Sequence, residues 1–156
     1  MPYWFDGNNL IGLSAAAARA DRRSRAAFLS ALHGWRSTGG GRFLVWFDGD
    51  DPADMRPPPG VTVRYSAPES ADAAICRRLR EIERPGEVII VTNDRELASR
   101  CRNNGANALD WNRFMIKMQA RSEARQTHHT PVDTSVDVDD WMRFFGVDEP
   151  PNGGSD

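Results

Sequence analysis

Short apolar runs alternate with amphipathic segments along the first 120 residues. The runs at 42–48 and 87–92 are apolar without polar alternation, which is typical of strands buried on both faces. The segments between such runs repeat apolar residues every three or four positions, as one face of a helix does. Because alternating strands and helices favour parallel pairing, we expect a Rossmann-like, three-layer α/β/α fold with a mostly parallel sheet of about five strands.

The boundaries of these elements follow from glycine and proline stop signals and from capping residues. The predicted strands are residues 2–6, 42–48, 61–65, 87–92 and 106–110. The predicted helices are residues 24–36, 71–83, 94–103 and 111–120. Together they predict one domain over residues 1–120.

Beyond residue 120 the periodic pattern fades. We expect a flexible linker over 121–137, a short amphipathic helix over 138–147 and a disordered tail over 148–156. The short helix would dock on its own domain or on a protein partner, because three aromatic side chains form its apolar face: Trp141, Phe144 and Phe145.

Composition limits the classes of protein to consider. No apolar run approaches the roughly 18 residues of a membrane span, and the first residues lack a signal peptide's pattern, so we expect a cytoplasmic protein without membrane contact. Cys76 and Cys101 lack metal-ligand spacing and are expected to be reduced and structural. The net charge of −2 is unusual for a nucleic-acid binder, but many acids lie in 133–156, which leaves a mildly basic body.

Four aspartates fall where predicted strands end or a predicted helix begins. Asp6, Asp48 and Asp94 follow three strong strands, and Asp72 lies in the first turn of a helix. Ligands of open parallel sheets gather outside the carboxyl ends of the strands, so these side chains should converge there. Each acid alone also has a structural explanation, as an Asp-Gly turn or as a helix-dipole partner, but that explanation weakens when all four share one edge.

Clustered carboxylates without histidine or cysteine partners favour a hard cation, Mg²⁺ or Mn²⁺, over zinc. None of the three histidines is placed as a ligand by its position in the sequence. One or two such ions would activate a water and neutralise charge on a phosphorus, which indicates phosphodiester hydrolysis. Asn8 suits a turn, but its amide oxygen beside Asp6 would also hold a metal-bound water.

Three sequence strings carry a family resemblance: Asp6-Gly7-Asn8-Asn9, Glu69-Ser70-Ala71-Asp72-Ala73-Ala74-Ile75 and Thr92-Asn93-Asp94. They resemble the NYN domain family, specifically its YacP-like branch, over roughly residues 2–120. The resemblance implies a PIN-like nuclease fold that binds Mg²⁺ or Mn²⁺ and cleaves RNA as an endoribonuclease. For the YacP-like branch it implies a setting in mRNA decay, with the ribosome as one place of action.

The resemblance also assigns roles to individual residues. The family's acids correspond to Asp6, Asp48, Asp72 and Asp94, and Thr92 would orient the turn that carries Asp94 with support from Asn93. The branch commonly has Asp-Gly-Tyr-Asn at its start, whereas Asn8 stands here in the aromatic position. The resemblance places the family's asparagine on Asn8 and makes Asn9 the second amide, so either of the two is a candidate to lie over the metal.

Contacts with RNA are less defined by the sequence. A basic run near the first helix could contact backbone phosphates, or could form a solvated helix face: Arg19, Arg22, Arg23 and Arg25. Trp46 and Trp111 are expected in the core rather than as stacking platforms for bases.

These observations favour a metal-dependent endoribonuclease. One alternative is a non-catalytic RNA-binding or adaptor module, which would be expected to have lost at least one of the four acids. Another is a phosphatase with Asp48 as nucleophile in an Asp-x-Asp loop, but Asp51-Pro52 replaces the continuation that such a loop requires.

Overall fold

The protein forms a five-stranded, fully parallel sheet in a computed structural model that describes residues 2–12, 22–39 and 42–126. The strands are β1 (Pro2–Asp6), β2 (Arg42–Phe47), β3 (Val61–Tyr65), β4 (Ile89–Val91) and β5 (Asn107–Leu109). Their order across the sheet is β3-β2-β1-β4-β5. The predicted α/β fold with a parallel five-stranded sheet is confirmed.

Helices cover both faces of the sheet. They are α1 (Gly7–Ile11), α2 (Arg22–Gly39), α3 (Ala71–Glu81), α4 (Arg95–Asn103) and α5 (Trp111–Gln126). One buried cluster joins α1, α2 and α5 to one face of the sheet, and a second joins α3 and α4 to the other. The chain therefore forms the three layers that the sequence predicts.

Successive residues of the central strand enter different clusters. Tyr3 and Phe5 pack with the first cluster, whereas Trp4 packs with the second, as the two-residue period of a strand requires. Full burial of a side chain such as that of Phe5 contributes about 1.5–3 kcal/mol to the free energy of unfolding. Trp46 and Trp111 are both buried, which confirms their place in the core.

The strand order places a switch point beside β1. From β1 the chain builds β2 and β3 on one side, then crosses to build β4 and β5 on the other. The carboxyl ends of β1 and β4 therefore flank the crevice where open α/β sheets bind ligands.

Several element boundaries differ from the sequence predictions. Asn8 and Asn9 lie in a helical turn rather than a loop, because the buried side chains of Leu10 and Ile11 anchor α1 to the core. The fourth strand is shorter than predicted, since a 3₁₀ turn occupies Pro85–Glu87.

The last helix continues to Gln126, so the first six residues of the expected linker, 121–126, are helical. This stretch has no glycine or proline, and Gln119 donates a hydrogen bond to Glu123 one turn later at 3.3 Å. The expected remainder of the linker, the short helix and the tail lie outside the described residues, as do Trp141, Phe144 and Phe145.

Cys76 and Cys101 are buried free thiols, as predicted. Burial, followed by the neighbouring Cys76, raises the pKa of the Cys101 thiol to about 12. Within the described ranges, no helix has the length and apolar character needed to cross a bilayer.

Candidate active site at the carboxyl edge of the sheet

Asp6 lies at the switch point, at the end of β1. It is only 3% exposed, and its Oδ2 accepts a hydrogen bond from the Thr92 hydroxyl at 3.1 Å. Thr92 is also buried and directly follows β4. The hydrogen bond therefore joins the ends of the two strands that flank the crevice.

The negative charges of the other three aspartates act on Asp6. Burial raises the pKa of Asp6 from 3.8 to about 7, and the negative charges of Asp72, Asp48 and Asp94 act in the same direction. The hydrogen bond from Thr92 opposes this shift in the pKa. Asp48, Asp72 and Asp94 thus lie close enough to Asp6 for each of them to disfavour its charged form.

Asp72 begins α3 and is half-buried. Burial is the largest cause of its raised pKa, followed by the charges of Asp94 and Asp48. The positive charge of Arg100 partly opposes that rise. Arg100 has no distinguishing signal in the sequence, because its proximity to Asp72 depends on how α4 packs beside α3.

Asp94 is the N-cap of α4. Its Oδ1 accepts hydrogen bonds from the backbone N–H groups of Glu96 and Leu97 at 3.0 and 3.2 Å. The N–H of Asp94 in turn donates to the Thr92 hydroxyl at 3.1 Å. Thr92 therefore contacts both Asp6 and the turn that carries Asp94.

Asp48 connects the end of β2 to the start of α3. Its Oδ1 accepts a hydrogen bond from the N–H of Ala71 at 2.7 Å, directly before Asp72. The N–H of Asp48 donates to Asn8 Oδ1 at 2.9 Å. These two hydrogen bonds, which the sequence did not predict, fix the loop that carries Asp48 relative to α1 and α3.

Asn9 makes the matching connection on the other side of Asp6. Its Oδ1 accepts hydrogen bonds from the Thr92 hydroxyl at 3.2 Å and from the N–H of Asn93 at 2.9 Å. Asn93 Oδ1 accepts a further hydrogen bond from the N–H of Trp111 at 2.8 Å. The adjacent amides of Asn8 and Asn9 thus hold the β2 and β4 ends of the site respectively.

Gly7 is required for this arrangement because α1 begins against β2. A Cβ atom at position 7 would lie 2.5 Å from the Phe47 ring and 3.0 Å from the Trp46 carbonyl oxygen. Glycine alone allows that approach without displacing the backbone between Asp6 and Asn8.

The donor set contains only oxygen atoms, which suits a hard cation such as Mg²⁺ or Mn²⁺. Burial of Asp6 among three other acids also leaves negative charge that a divalent ion would stabilise. Across 2–12, 22–39 and 42–126, no three His, Cys, Asp or Glu side chains form a ready-made set of metal ligands. The carboxylates therefore fit the ion chemically, but they are not arranged as a closed coordination shell.

The basic run predicted for RNA contact is partly engaged within the protein. Arg22 forms an ion pair with Asp54 at 2.8 Å. Arg25 lies over the Phe47 ring, 4.8 Å from its centroid, and donates to the Asp48 carbonyl at 3.3 Å. Arg23 is exposed on α2, whereas Arg19 is outside the described residues.

A parallel five-stranded sheet with four acids close to its switch point defines an α/β protein with an acidic ligand-binding edge. The chain belongs to the YacP-like NYN domain family, which it matches over residues 4–139.

Two solved structures share this fold. The crystal structure of Rae1 (YacP) from Bacillus subtilis superposes with a TM-score of 0.64 and 16% identity, covering 82% of this chain and 79% of that one. A tryptophan-to-leucine variant of Rae1 gives a TM-score of 0.61 and 18% identity, with 86% and 87% coverage. No curated protein matches this chain.

Proposed function

We propose that the protein is a Mg²⁺- or Mn²⁺-dependent endoribonuclease. The observation that carries this proposal is the placement of four acids at one edge of the sheet: buried Asp6 ends β1, Asp48 follows β2, Asp94 caps α4 and Asp72 lies in the first turn of α3. The charges of the other three acids and burial together raise the pKa of Asp6 to about 7. Such a concentration of negative charge at the ligand-binding edge of a sheet is typical of a divalent-cation site. Family membership supplies the nuclease class.

In this proposal Asp6, Asp72, Asp94 and Asp48 hold the ion. When bound, the ion supplies an activated water and neutralises charge on the phosphate that is cleaved. Thr92 and Asn9 position Asp6 and the Asp94 turn, whereas Asn8 positions Asp48.

The proposed substrate is RNA, and the proposed setting is cytoplasmic mRNA decay, with the ribosome as one place of action. Family membership supports RNA as the substrate. The structural relative Rae1 supports the fold on which it rests. The docking role of Trp141, Phe144 and Phe145 remains a prediction.

A second candidate is a non-catalytic RNA-binding module. The observation that favours it is the lack of a ready-made set of metal ligands in the described part of the chain. This candidate predicts RNA binding without cleavage at any concentration of Mn²⁺ or Mg²⁺.

Cleavage of end-labelled RNA, followed on denaturing gels with Mn²⁺, with Mg²⁺ and with chelator, separates the two candidates. We expect internal cleavage by the parent protein with either ion, and loss of cleavage with chelator or in Asp72→Asn. Asp50→Asn is the matched control, because Asp50 is exposed and follows the same strand end as Asp48. Cleavage that persists in chelator, or equally in Asp72→Asn, would overturn the proposed site.

A further inference from the structure

A cleft of about 510 Å³ adjoins the candidate active site on the β5 side of the sheet. We call it the α4/α5 cleft: Arg95, Ala98 and Arg102 of α4 form one wall, the start of α5 with Arg113 forms the other, and Ala108 of β5 lies at the base. Thr92 and Asn93 line its end nearest Asp6. The cleft is therefore continuous with the turn that holds the candidate active site.

The spacing of its residues produces one basic face. Arg95, Ala98 and Arg102 are three and four positions apart, so they share a side of α4. The seven positions from Arg95 to Arg102 correspond to about 10 Å along a helix axis. Small alanine side chains between the guanidinium groups leave room for an extended ligand.

The arginines retain donors for an anion. Arg102 Nη2 donates to the Ala108 carbonyl at 3.3 Å, which holds its guanidinium at the base of the cleft and leaves other N–H groups available. Arg113 Nε lies 3.9 Å from Asp110 Oδ2, and the Arg113 side chain is 72% exposed. An ion pair this exposed and this long is weak, so a phosphate can compete with Asp110 for Arg113.

A second cleft, of about 570 Å³ beside β3, provides a comparison. Its three arginines face three acids: Arg64, Arg77 and Arg78 against Asp50, Asp51 and Glu81. Arg77 and Arg78 are also paired with Glu81 at 3.1 and 3.4 Å. The α4/α5 cleft has three arginines against the single acid Asp110, so it alone of these two has an excess of positive charge.

We infer that the α4/α5 cleft binds the phosphate backbone of single-stranded RNA next to the bond that is cleaved. This inference rests on the proposed function, because it takes the acids around Asp6 as the site of cleavage. Arg95, Arg102 and Arg113 contact phosphates, and Asn93 holds the two walls together through its hydrogen bond to the Trp111 N–H at 2.8 Å. Phosphate contacts of this kind fix the position of a strand without reading its sequence.

The test is binding of a fluorescently labelled single-stranded RNA of about 12 nucleotides, measured by anisotropy in chelator so that cleavage does not contribute. The cleft variant carries Arg95→Ala, Arg102→Ala and Arg113→Ala. The control variant carries Arg56→Ala, Arg80→Ala and Arg84→Ala, which removes the same charge from exposed positions that line neither cleft. Circular dichroism checks that both variants are folded.

We expect the control to bind like the parent and the cleft variant to bind more weakly with a shallower salt dependence. Loss of three phosphate contacts to a single strand makes the slope of log affinity against log salt shallower by about 2. When salt is raised from about 50 to 200 mM, the factor by which affinity falls should therefore be about 20 times smaller for the cleft variant than for the parent. Equal slopes for the two variants, or no RNA binding by the parent, would overturn the inference. RNA binding that depends on the cleft arginines, without Mn²⁺-dependent cleavage by the parent, would instead overturn the nuclease proposal and leave only RNA binding by the cleft supported.

Discussion

The Thr92 hydroxyl lies 3.1 Å from Asp6 Oδ2, although 86 positions separate the two residues in the chain. The same hydroxyl accepts the Asp94 N–H and lies 3.2 Å from Asn9 Oδ1. Because a hydroxyl has a single proton to donate, Asp6 and Asn9 compete for it. One threonine thus connects the buried acid, the capped turn of α4 and the amide of α1.

The raised pKa of Asp6 predicts that stability depends on pH. The folded protein binds this proton more tightly than the unfolded chain, so the contribution of Asp6 is full below pH 3.8 and is lost as pH rises through about 7. In chelator we expect Asp6→Asn to gain stability relative to the parent as the pH rises. The difference between their free energies of unfolding should shift in favour of Asp6→Asn by about 3 kcal/mol from pH 5 to pH 8. Urea denaturation at both pH values measures this, with exposed Asp50→Asn as control. An equal effect of Asp6→Asn at both pH values would contradict the prediction.

Bound metal should stabilise the fold. A ligand at about 100 times its dissociation constant adds about 2.7 kcal/mol to the free energy of unfolding. We expect Mn²⁺ to raise the thermal midpoint of the parent and of Asp50→Asn, and to raise that of Asp72→Asn much less. The increase should grow from pH 5 to pH 8, because the ion competes with a proton for Asp6. An equal increase in Asp72→Asn would show that Mn²⁺ binds elsewhere.

Asp48 should have separable structural and chemical roles. Asp48→Ala removes the acceptor for the Ala71 N–H, and losing a cap of this kind costs about 1 kcal/mol. Asp48→Asn keeps an acceptor oxygen and removes the same charge, so we expect it to be more stable than Asp48→Ala by a similar amount. Urea denaturation gives the stabilities, and RNA cleavage shows whether the charge is needed. Equal stability of the two variants would mean that the contact to α3 contributes little.

The approach of Gly7 to Phe47 predicts coupling between these positions. Gly7→Ala places a Cβ 2.5 Å from the Phe47 ring, and such overpacking typically costs about 1–3 kcal/mol. Phe47→Leu should relieve part of this cost, so the double variant should be more stable than the sum of the two single effects predicts. A double-mutant cycle by urea denaturation measures the coupling. Strict additivity would show that the cost of Gly7→Ala does not arise from the Phe47 ring.

Local patterns were sufficient to predict the positions of the four acids. Apolar runs without alternation marked the strands that place Asp6 and Asp48, and the capping geometry of Asp94 follows from its place before α4. The hydrogen bonds of Asn8 and Asn9 could not be predicted, because a Gly-Asn-Asn string also suits a turn. Their helical turn depends on burial of Leu10 and Ile11 against distant strands.

For the basic surface too, the sequence shows where arginines cluster along the chain but not which of them meet in the fold. A dense arginine run at 19–25 is visible in the sequence, yet Arg22 is paired with Asp54 and Arg25 lies over Phe47. The arginines of the α4/α5 cleft come from separate segments and meet only because β5 and α5 pack beside α4. Sequence spacing contains no information about such a meeting.

The central position of β1 has a consequence for synthesis of the protein. β1 is made before the other four strands, and one of its edges pairs with β4. That edge therefore stays uncovered until residues 89–91 have been synthesised. Contacts between such distant segments form late, because the intervening loop must close first. A nascent chain that ends before Thr92 contains Asp6, Asp48 and Asp72, but it lacks both the hydroxyl that orients Asp6 and the turn that carries Asp94. Incomplete chains are therefore expected to be inactive in the proposed reaction.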